Sequence, residues 1–205
     1  DGFFGWCVVA GTGHPFLSNA DYFRNAVDIG HGNWELAKRI ANMTANTLGL
    51  YQEWCAVPNI DSIGWTEEFD EDMWESFLTL CAVSGMAVEV SGDLRKLDAQ
   101  RLDKLARTLT LSQPENRVRC VDLPRGRFEF PPAVWLASRP DGTYLLGVIN
   151  WRYKTASVPL NVPELDKARL RIQDAWTGDF LDYVTIPANL SLPAHASRLL
   201  EVAID

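Results

Sequence analysis

Tyr22-Phe23-Arg24-Asn25-Ala26-Val27-Asp28-Ile29-Gly30, continued by His31-Gly32-Asn33-Trp34, joins a short extended segment to a glycine-bearing loop and then to an amphipathic helix. This is a strand-loop-helix junction, where α/β enzymes place their chemistry. Alternation along a strand puts Arg24, Ala26 and Asp28 on one face and Asn25 and Val27 on the other. The charged pair therefore shares a side. A straight strand would hold the two Cα atoms roughly 13 Å apart at about 3.3 Å per residue. A bend near Ile29-Gly30, or the long arginine stem, has to close that gap.

Upstream, Phe3–Ala10 is a continuous apolar run of strand length, as expected of a parallel strand buried on both faces. Gly11-Thr12-Gly13-His14-Pro15 ends it in a loop, where His14 faces either solvent or a ligand. Downstream, Asn33 can cap a helix whose apolar positions Trp34, Ala37, Ile40, Ala41, Thr44 and Leu48 follow helical spacing up to Gly49. Leu50–Val57 reads as the next strand, closed by Pro58-Asn59. The acidic stretch from Asp61 to Asp72 suits the positive end of the following helix, which carries Phe69, Met73, Phe77, Leu80 and Cys81 on one side. Met86–Val90 is a further strand, and Ser91-Gly92-Asp93 leads to a helix with Leu102, Leu105, Ala106 and Leu109 on its buried face. Strand, loop and helix thus recur as in an α/β barrel or an open parallel sheet. Four parallel strands make half of an eight-stranded barrel, so the other half is expected to lie outside this chain.

From about Arg117 the helical period disappears. Strand-like runs at Ala133–Ser138, Tyr144–Trp151, Ala156–Leu160, Arg169–Trp176 and Arg198–Ile204 are separated by turn residues, the pattern of an antiparallel sandwich. Its inner face is expected to include Val134, Leu136, Leu146, Val148 and Leu200. With Pro124–Arg127 as the linker, residues 1–124 form the half-barrel and residues 125–205 the sandwich.

Composition narrows the function. A 205-residue chain with 47% apolar content can bury a substantial core, and a net charge of −8 without a basic cluster gives no footprint for nucleic acid or an anionic membrane. No apolar run reaches membrane-spanning length. Cys7, Cys55, Cys81 and Cys120 are far apart and form no metal or disulfide pattern, so neither a metal nor a cofactor is expected. Cys81 reads as core, whereas Cys7 could line a site. Eight tryptophans offer flat faces suited to sugar rings, although tryptophan serves equally well as core. The sequence gives no indication of compartment.

The whole arrangement resembles the melibiase-type α-galactosidases, retaining glycosidases with a (β/α)8 barrel followed by an antiparallel β-sandwich. Arg24-Asn25-Ala26-Val27-Asp28-Ile29 with Trp34 is similar to their sixth-strand signature. Ser91-Gly92-Asp93-Leu94 resembles their eighth strand and helix. Asp174-Ala175-Trp176-Thr177-Gly178 and Leu192-Pro193-Ala194-His195-Ala196-Ser197 resemble turns of their sandwich. The fold implied is the C-terminal half of a TIM barrel plus the sandwich. The implied activity is hydrolysis of α-galactosides or related α-glycosides, with Asp28 as general acid/base and Arg24 contacting the sugar. Trp6, Cys7 and His14 fall where the family reads the second position of the sugar. The family's nucleophilic aspartate ends the fourth barrel strand, which would precede Asp1, and the missing N-terminal half-barrel is the implied partner. Where many relatives end the seventh strand in an acidic Asp-Pro-Asp turn, the corresponding place is expected to read Cys55-Ala56-Val57-Pro58-Asn59.

On chemical grounds a retaining glycosidase needs two carboxyl groups about 5 to 5.5 Å apart. The acid/base must keep its proton near neutrality, which Arg24 opposes unless its guanidinium points at a sugar hydroxyl. By spacing alone an aspartate before a glycine turn, such as Asp28, is more often a loop cap than a catalyst. A non-catalytic sugar-binding relative and a purely structural segment are the competing readings.

Overall fold

A computed structural model describes residues 5–6, 22–24, 27–29, 33–51, 57–64, 68–123, 130–166, 169–181 and 186–205. Its first half holds β1 (Gly5–Trp6), β2 (Tyr22–Arg24), α1 (Trp34–Tyr51), β3 (Val57–Ile63), α2 (Glu71–Ser84), β4 (Ala87–Val90) and α3 (Ala99–Leu111). The four strands form one sheet in the order β1-β2-β3-β4. All three pairings are parallel, with Tyr22 opposite both Gly5 and Val57 and Asn59 opposite Ala87. This is the sequential parallel order expected of consecutive barrel units.

Local chemistry sets the helix boundaries. Asn33 Oδ1 accepts the amide of Glu35 at 2.8 Å, capping α1 as its position predicts. Trp34, Ala37, Ile40, Ala41, Thr44, Ala45 and Leu48 are buried in a stripe of helical period. Asp70 caps α2 by accepting the amide of Met73 at 2.7 Å, and Gly85 at φ 65° ends it. Glu71 and Asp72 lie in its first turn, where acidic groups favour the helix dipole.

One expected strand is displaced. Tyr51 is the last residue of α1, not the start of a strand, and residues 52–56 lie outside the described set; β3 runs from Val57 to Ile63 through Pro58. Gly49 does not stop the helix: a Cβ there would meet nothing within 4 Å, so the position is open and a helical glycine costs only about 1 kcal/mol relative to alanine.

The second half contains β5 (Arg117–Cys120), β6 (Val134–Ser138), β7 (Tyr144–Ile149), β8 (Ala156–Leu160), β9 (Leu170–Asp174), β10 (Phe180–Leu181), β11 (Ala188–Leu192) and β12 (Ser197–Ile204). A six-stranded antiparallel sheet in the order β10-β9-β12-β7-β6-β5 faces the antiparallel pair β11-β8. Val134, Leu136, Leu146, Val148 and Leu200 are all buried in the core between them, together with Val158, Leu160 and Leu192 of the smaller sheet. The larger sheet takes its edge strand from before Pro124, because Arg117 pairs with Ser138. The 124–127 linker lies outside the described residues.

The opposite face of this sheet is also buried. Trp135, Ala137, Leu145, Ile149 and Leu199 belong to the same core as Trp74, Phe77, Leu80 and Val83 of α2. Strands β6 and β7 therefore have no polar side, and α2 is buried nearly all round over its C-terminal two turns. Its small polar groups are satisfied: Thr79 and Ser197 hydroxyls lie 2.9 Å apart, and the Ser84 hydroxyl donates to the Cys81 carbonyl at 2.8 Å. Trp135 and Trp151 both donate their indole N–H to the Pro132 carbonyl, each at 2.8 Å. Half-barrel and sandwich are thus joined through one continuous hydrophobic core.

Candidate active site at the ends of the parallel strands

Arg24 is the last residue of β2, and the chain has left the strand by Val27, so Asp28 lies beyond the strand end. The Arg24 stem then spans the gap that a straight strand would leave. Arg24 Nη1 donates to Asp28 Oδ1, while Nη2 lies 3.3 Å from Asp61 Oδ1 and 3.8 Å from Glu89 Oε2. One cation therefore faces three carboxylates contributed by the β2 end, β3 and β4. Its guanidinium is held by acids, not left pointing at open space. Arg24 Nε and Asn59 Nδ2 are buried without a hydrogen-bond partner among the described residues.

The acids differ in access. The Asp28 side chain is 72% exposed, whereas that of Asp61 is 3% exposed. Asp61 Oδ2 accepts the Ile29 amide, and Oδ1 accepts the Ser62 amide at 2.7 Å in addition to facing Arg24. The Asp61 amide donates to Asn59 Oδ1 at 2.8 Å. Asp61 has φ 105°, and the β3–β4 register shifts between Asn59 and Asp61. A carboxylate with both oxygens engaged and no access to solvent is a poor nucleophile. Asp28 and, to a lesser extent, Glu89 at 48% face solvent, where a carboxylate can meet a bound molecule.

Of the other residues singled out by sequence, Trp6 is placed only as the end of β1. Cys7 and His14 lie outside the described residues. The residue the sequence reading passed over is Asp61, assigned there to the acidic lead-in of a helix. Of the Cys55-Ala56-Val57-Pro58-Asn59 stretch, residues 55 and 56 lie outside the described set and Val57 to Asn59 open β3, which carries Asp61 within it. Among the described residues, no group of three His, Cys, Asp or Glu side chains could hold a metal ion.

A second polar cluster sits where α1 meets the sandwich. Tyr153 donates to Glu35 at 2.6 Å, and Lys38 pairs with the same carboxylate. These two hydrogen bonds, that of Lys38 first, hold the Glu35 carboxyl below the usual carboxylate range. His195, at φ 62°, packs between Trp34 and Tyr153, with ring centroids 5.1 and 5.0 Å away.

The described residues thus combine a parallel half-barrel with an antiparallel sandwich packed against it. Residues 129–202 match the alpha galactosidase C-terminal beta sandwich domain family. Among solved structures, the chain is similar to a β-L-arabinopyranosidase from Geobacillus stearothermophilus, with 20% identity and a TM-score of 0.76 over 92% of this chain and 46% of that one. It is also similar to α-galactosidase I from Mortierella vinacea, with 13% identity and a TM-score of 0.70 over 93% of this chain and 55% of that one. An isomalto-dextranase from Arthrobacter globiformis gives 12% identity and a TM-score of 0.72 over 98% of this chain and 38% of that one. No curated protein matches. The chain thus spans about half the length of these enzymes or less, and resembles the C-terminal portion of a melibiase-type enzyme: late barrel strands followed by the β-sandwich. The three enzymes are named for different sugars, so the shared fold does not specify which one is bound.

Proposed function

We propose that this chain is part of a retaining glycoside hydrolase acting on α-galactosides or related α-glycosides, with Asp28 as general acid/base and the nucleophile supplied by residues outside the chain. The observation that carries this reading is the exposed Asp28 carboxylate held against Arg24 at the C-terminal ends of adjacent parallel strands. In the first step the nucleophile attacks the anomeric carbon while Asp28 gives its proton to the leaving oxygen. In the second, Asp28 takes a proton from the water that attacks the anomeric carbon and displaces the nucleophile. Arg24 is assigned to a sugar hydroxyl, and arrival of substrate would draw its guanidinium away from Asp28. Trp6, Cys7 and His14 are assigned to the sugar. The partner is the N-terminal half of the barrel. Among the described residues β1 and β4 are each paired on one side only, leaving two parallel edges for it to close.

The test is Asp28→Ala in the enzyme completed by that half. General acid/base catalysis contributes about 10² to 10⁴-fold, and a good leaving group needs little of it in the first step. Glycosylation by p-nitrophenyl α-galactoside should survive while an alkyl α-galactoside reacts far more slowly. The intermediate should accumulate, and azide, a nucleophile needing no general base, should rescue turnover as a glycosyl azide. Equal losses on both substrates without azide rescue would sink the assignment.

A further inference from the structure

We propose that Asp61 is the positioning residue of the acid/base segment: its buried carboxylate fixes both the backbone at Ile29 and the guanidinium of Arg24, and thereby sets where Asp28 stands. The inference rests on the reading of Asp28 as general acid/base. Asp61 Oδ2 accepts the amide of Ile29, the residue immediately after Asp28, across 32 positions of sequence. Its Oδ1 lies 3.3 Å from Arg24 Nη2, and the other terminal nitrogen of the same guanidinium donates to Asp28. In the substrate-free site Asp28 is therefore restrained twice by one side chain, through the peptide that follows it and through the cation beside it, and the first restraint persists when substrate draws the guanidinium away. The rest of its own surface is exposed, so little else holds it in place.

Asp61 is itself built in. Its φ of 105° is a conformation that L residues seldom adopt, and it coincides with the register shift in the β3–β4 pairing. Such irregularities re-aim a side chain beside a site. Here the Asn59 carboxamide accepts the Asp61 amide at 2.8 Å and the Asp61 carboxylate accepts the Ser62 amide at 2.7 Å, which pins the irregular backbone. A chain of contacts runs from Asn59 to Asp61, then to Ile29 and Arg24, and from both of these to Asp28. With both oxygens engaged, Asp61 acts through these neighbours, not on the substrate.

The experiment uses the completed enzyme and two variants. Asp61→Asn keeps the shape but replaces one acceptor oxygen by an amide, so it cannot accept from Ile29 and Ser62 together. Asp61→Gly removes the carboxylate and suits φ 105°, so it provides a folded variant should asparagine fail there. A displaced acid should cost about 10 to 100-fold in kcat/KM on an alkyl α-galactoside, with p-nitrophenyl α-galactoside affected much less. Placed in the Asp28→Ala background, the same substitution should cost much less on the alkyl substrate, because the acid it positions is gone and only the contact of Arg24 with the sugar is left to disturb. Equal losses on both substrates, or an undiminished loss in the Asp28→Ala background, would overturn the positioning role while leaving Asp28 as acid/base. Loss of leaving-group dependence in Asp28→Ala itself would overturn both readings.

Discussion

Substitution of Gly147 tests a close approach between half-barrel and sandwich. Gly147 lies in the middle of β7, and a Cβ built on it would meet Val83 Cγ1 of α2 at 3.1 Å and Thr79 Cγ2 at 3.4 Å. Its backbone is not in the left-handed region, so alanine brings no backbone strain, and the balance is between crowding and unfolded-chain entropy. Overpacking a tight core costs about 1–3 kcal/mol, and replacing glycine restrains the unfolded chain by about 0.4–1 kcal/mol in the opposite sense. Val83 is fully buried and β-branched, hence stiff at χ1, and cannot swing aside. Gly147→Ala should therefore destabilise by about 1 kcal/mol and Gly147→Val by about 3 kcal/mol. For a chain of this length each kcal/mol lowers the melting temperature by about 2–4 °C. Thermal or urea unfolding can be followed by the fluorescence of the buried Trp74, Trp135 and Trp151. Val83→Ala removes the opposing methyls, so the double variant should be more stable than the sum of the single effects by at least about 0.5 kcal/mol. A stabilising Gly147→Ala, or strictly additive single and double variants, would refute the close packing of α2 on the sheet and with it the shared core.

Three further outcomes are expected. Glu35 is held below its ordinary range by Lys38 and Tyr153, so its contribution to stability is complete above the unfolded carboxylate pKa and is lost as pH falls through the folded value. Glu35→Gln should lower the melting temperature at pH 7, and the difference from the parent should disappear in strong acid; a difference that persists there would refute the linkage. Burial pushes the thiols of Cys81 and Cys120 up, with Asp61 adding to the effect at the first and Asp122 at the second, so both should resist iodoacetamide at pH 8 until denaturant is added, as mass mapping of labelled peptides would show. Without the N-terminal half-barrel, purified chain should not hydrolyse p-nitrophenyl α-galactoside and should associate with increasing concentration in sedimentation experiments. Turnover by the chain alone would mean that it contains its own nucleophile.

Where one face of an element meets the core and the other meets water, the sequence is readable. The stripe on α1, the alternation along β8, in which Ser157 and Pro159 are exposed and Val158 and Leu160 buried, and the five inner-face residues of β6, β7 and β12 all follow from period alone. Strand β11, Ala188–Leu192, was passed over although Asn189 and Ser191 alternate with the more buried Ala188, Leu190 and Leu192. That signal was available. The apolar run of β7 is legible as a strand, but its reason is not: only the packed structure shows α2 covering the second face. In α2 itself, buried Ser76, Thr79 and Ser84 resemble a solvent side by composition, and only their partners across the sheet and along the helix show otherwise.

The displaced strand and the overlooked acid share one cause. Tyr51, Trp54, Cys55 and Val57 carry the apolar content expected of a buried strand, whereas β3 holds Pro58, Asn59 and Asp61, residues that strands ordinarily disfavour. Hydrophobic pattern locates elements by what they bury in the core, and β3 spends its polar positions on another purpose. Asn59 and Asp61 are fully or nearly fully buried, with Asn59 Oδ1 on the Asp61 amide and the Asp61 carboxylate on the Ser62 and Ile29 amides and beside Arg24. The contacts to Ile29 and Arg24 close only when β2 and β3 lie side by side, so no local window can report them. A strand that serves a site pays in pattern, and the segment where apolar periodicity fails is the one that reaches the acid/base segment. Arg24 and Asp28 are visible as a pair because they stand within four residues of each other; Asp61, 3.3 Å from the same guanidinium, joins them only through the fold.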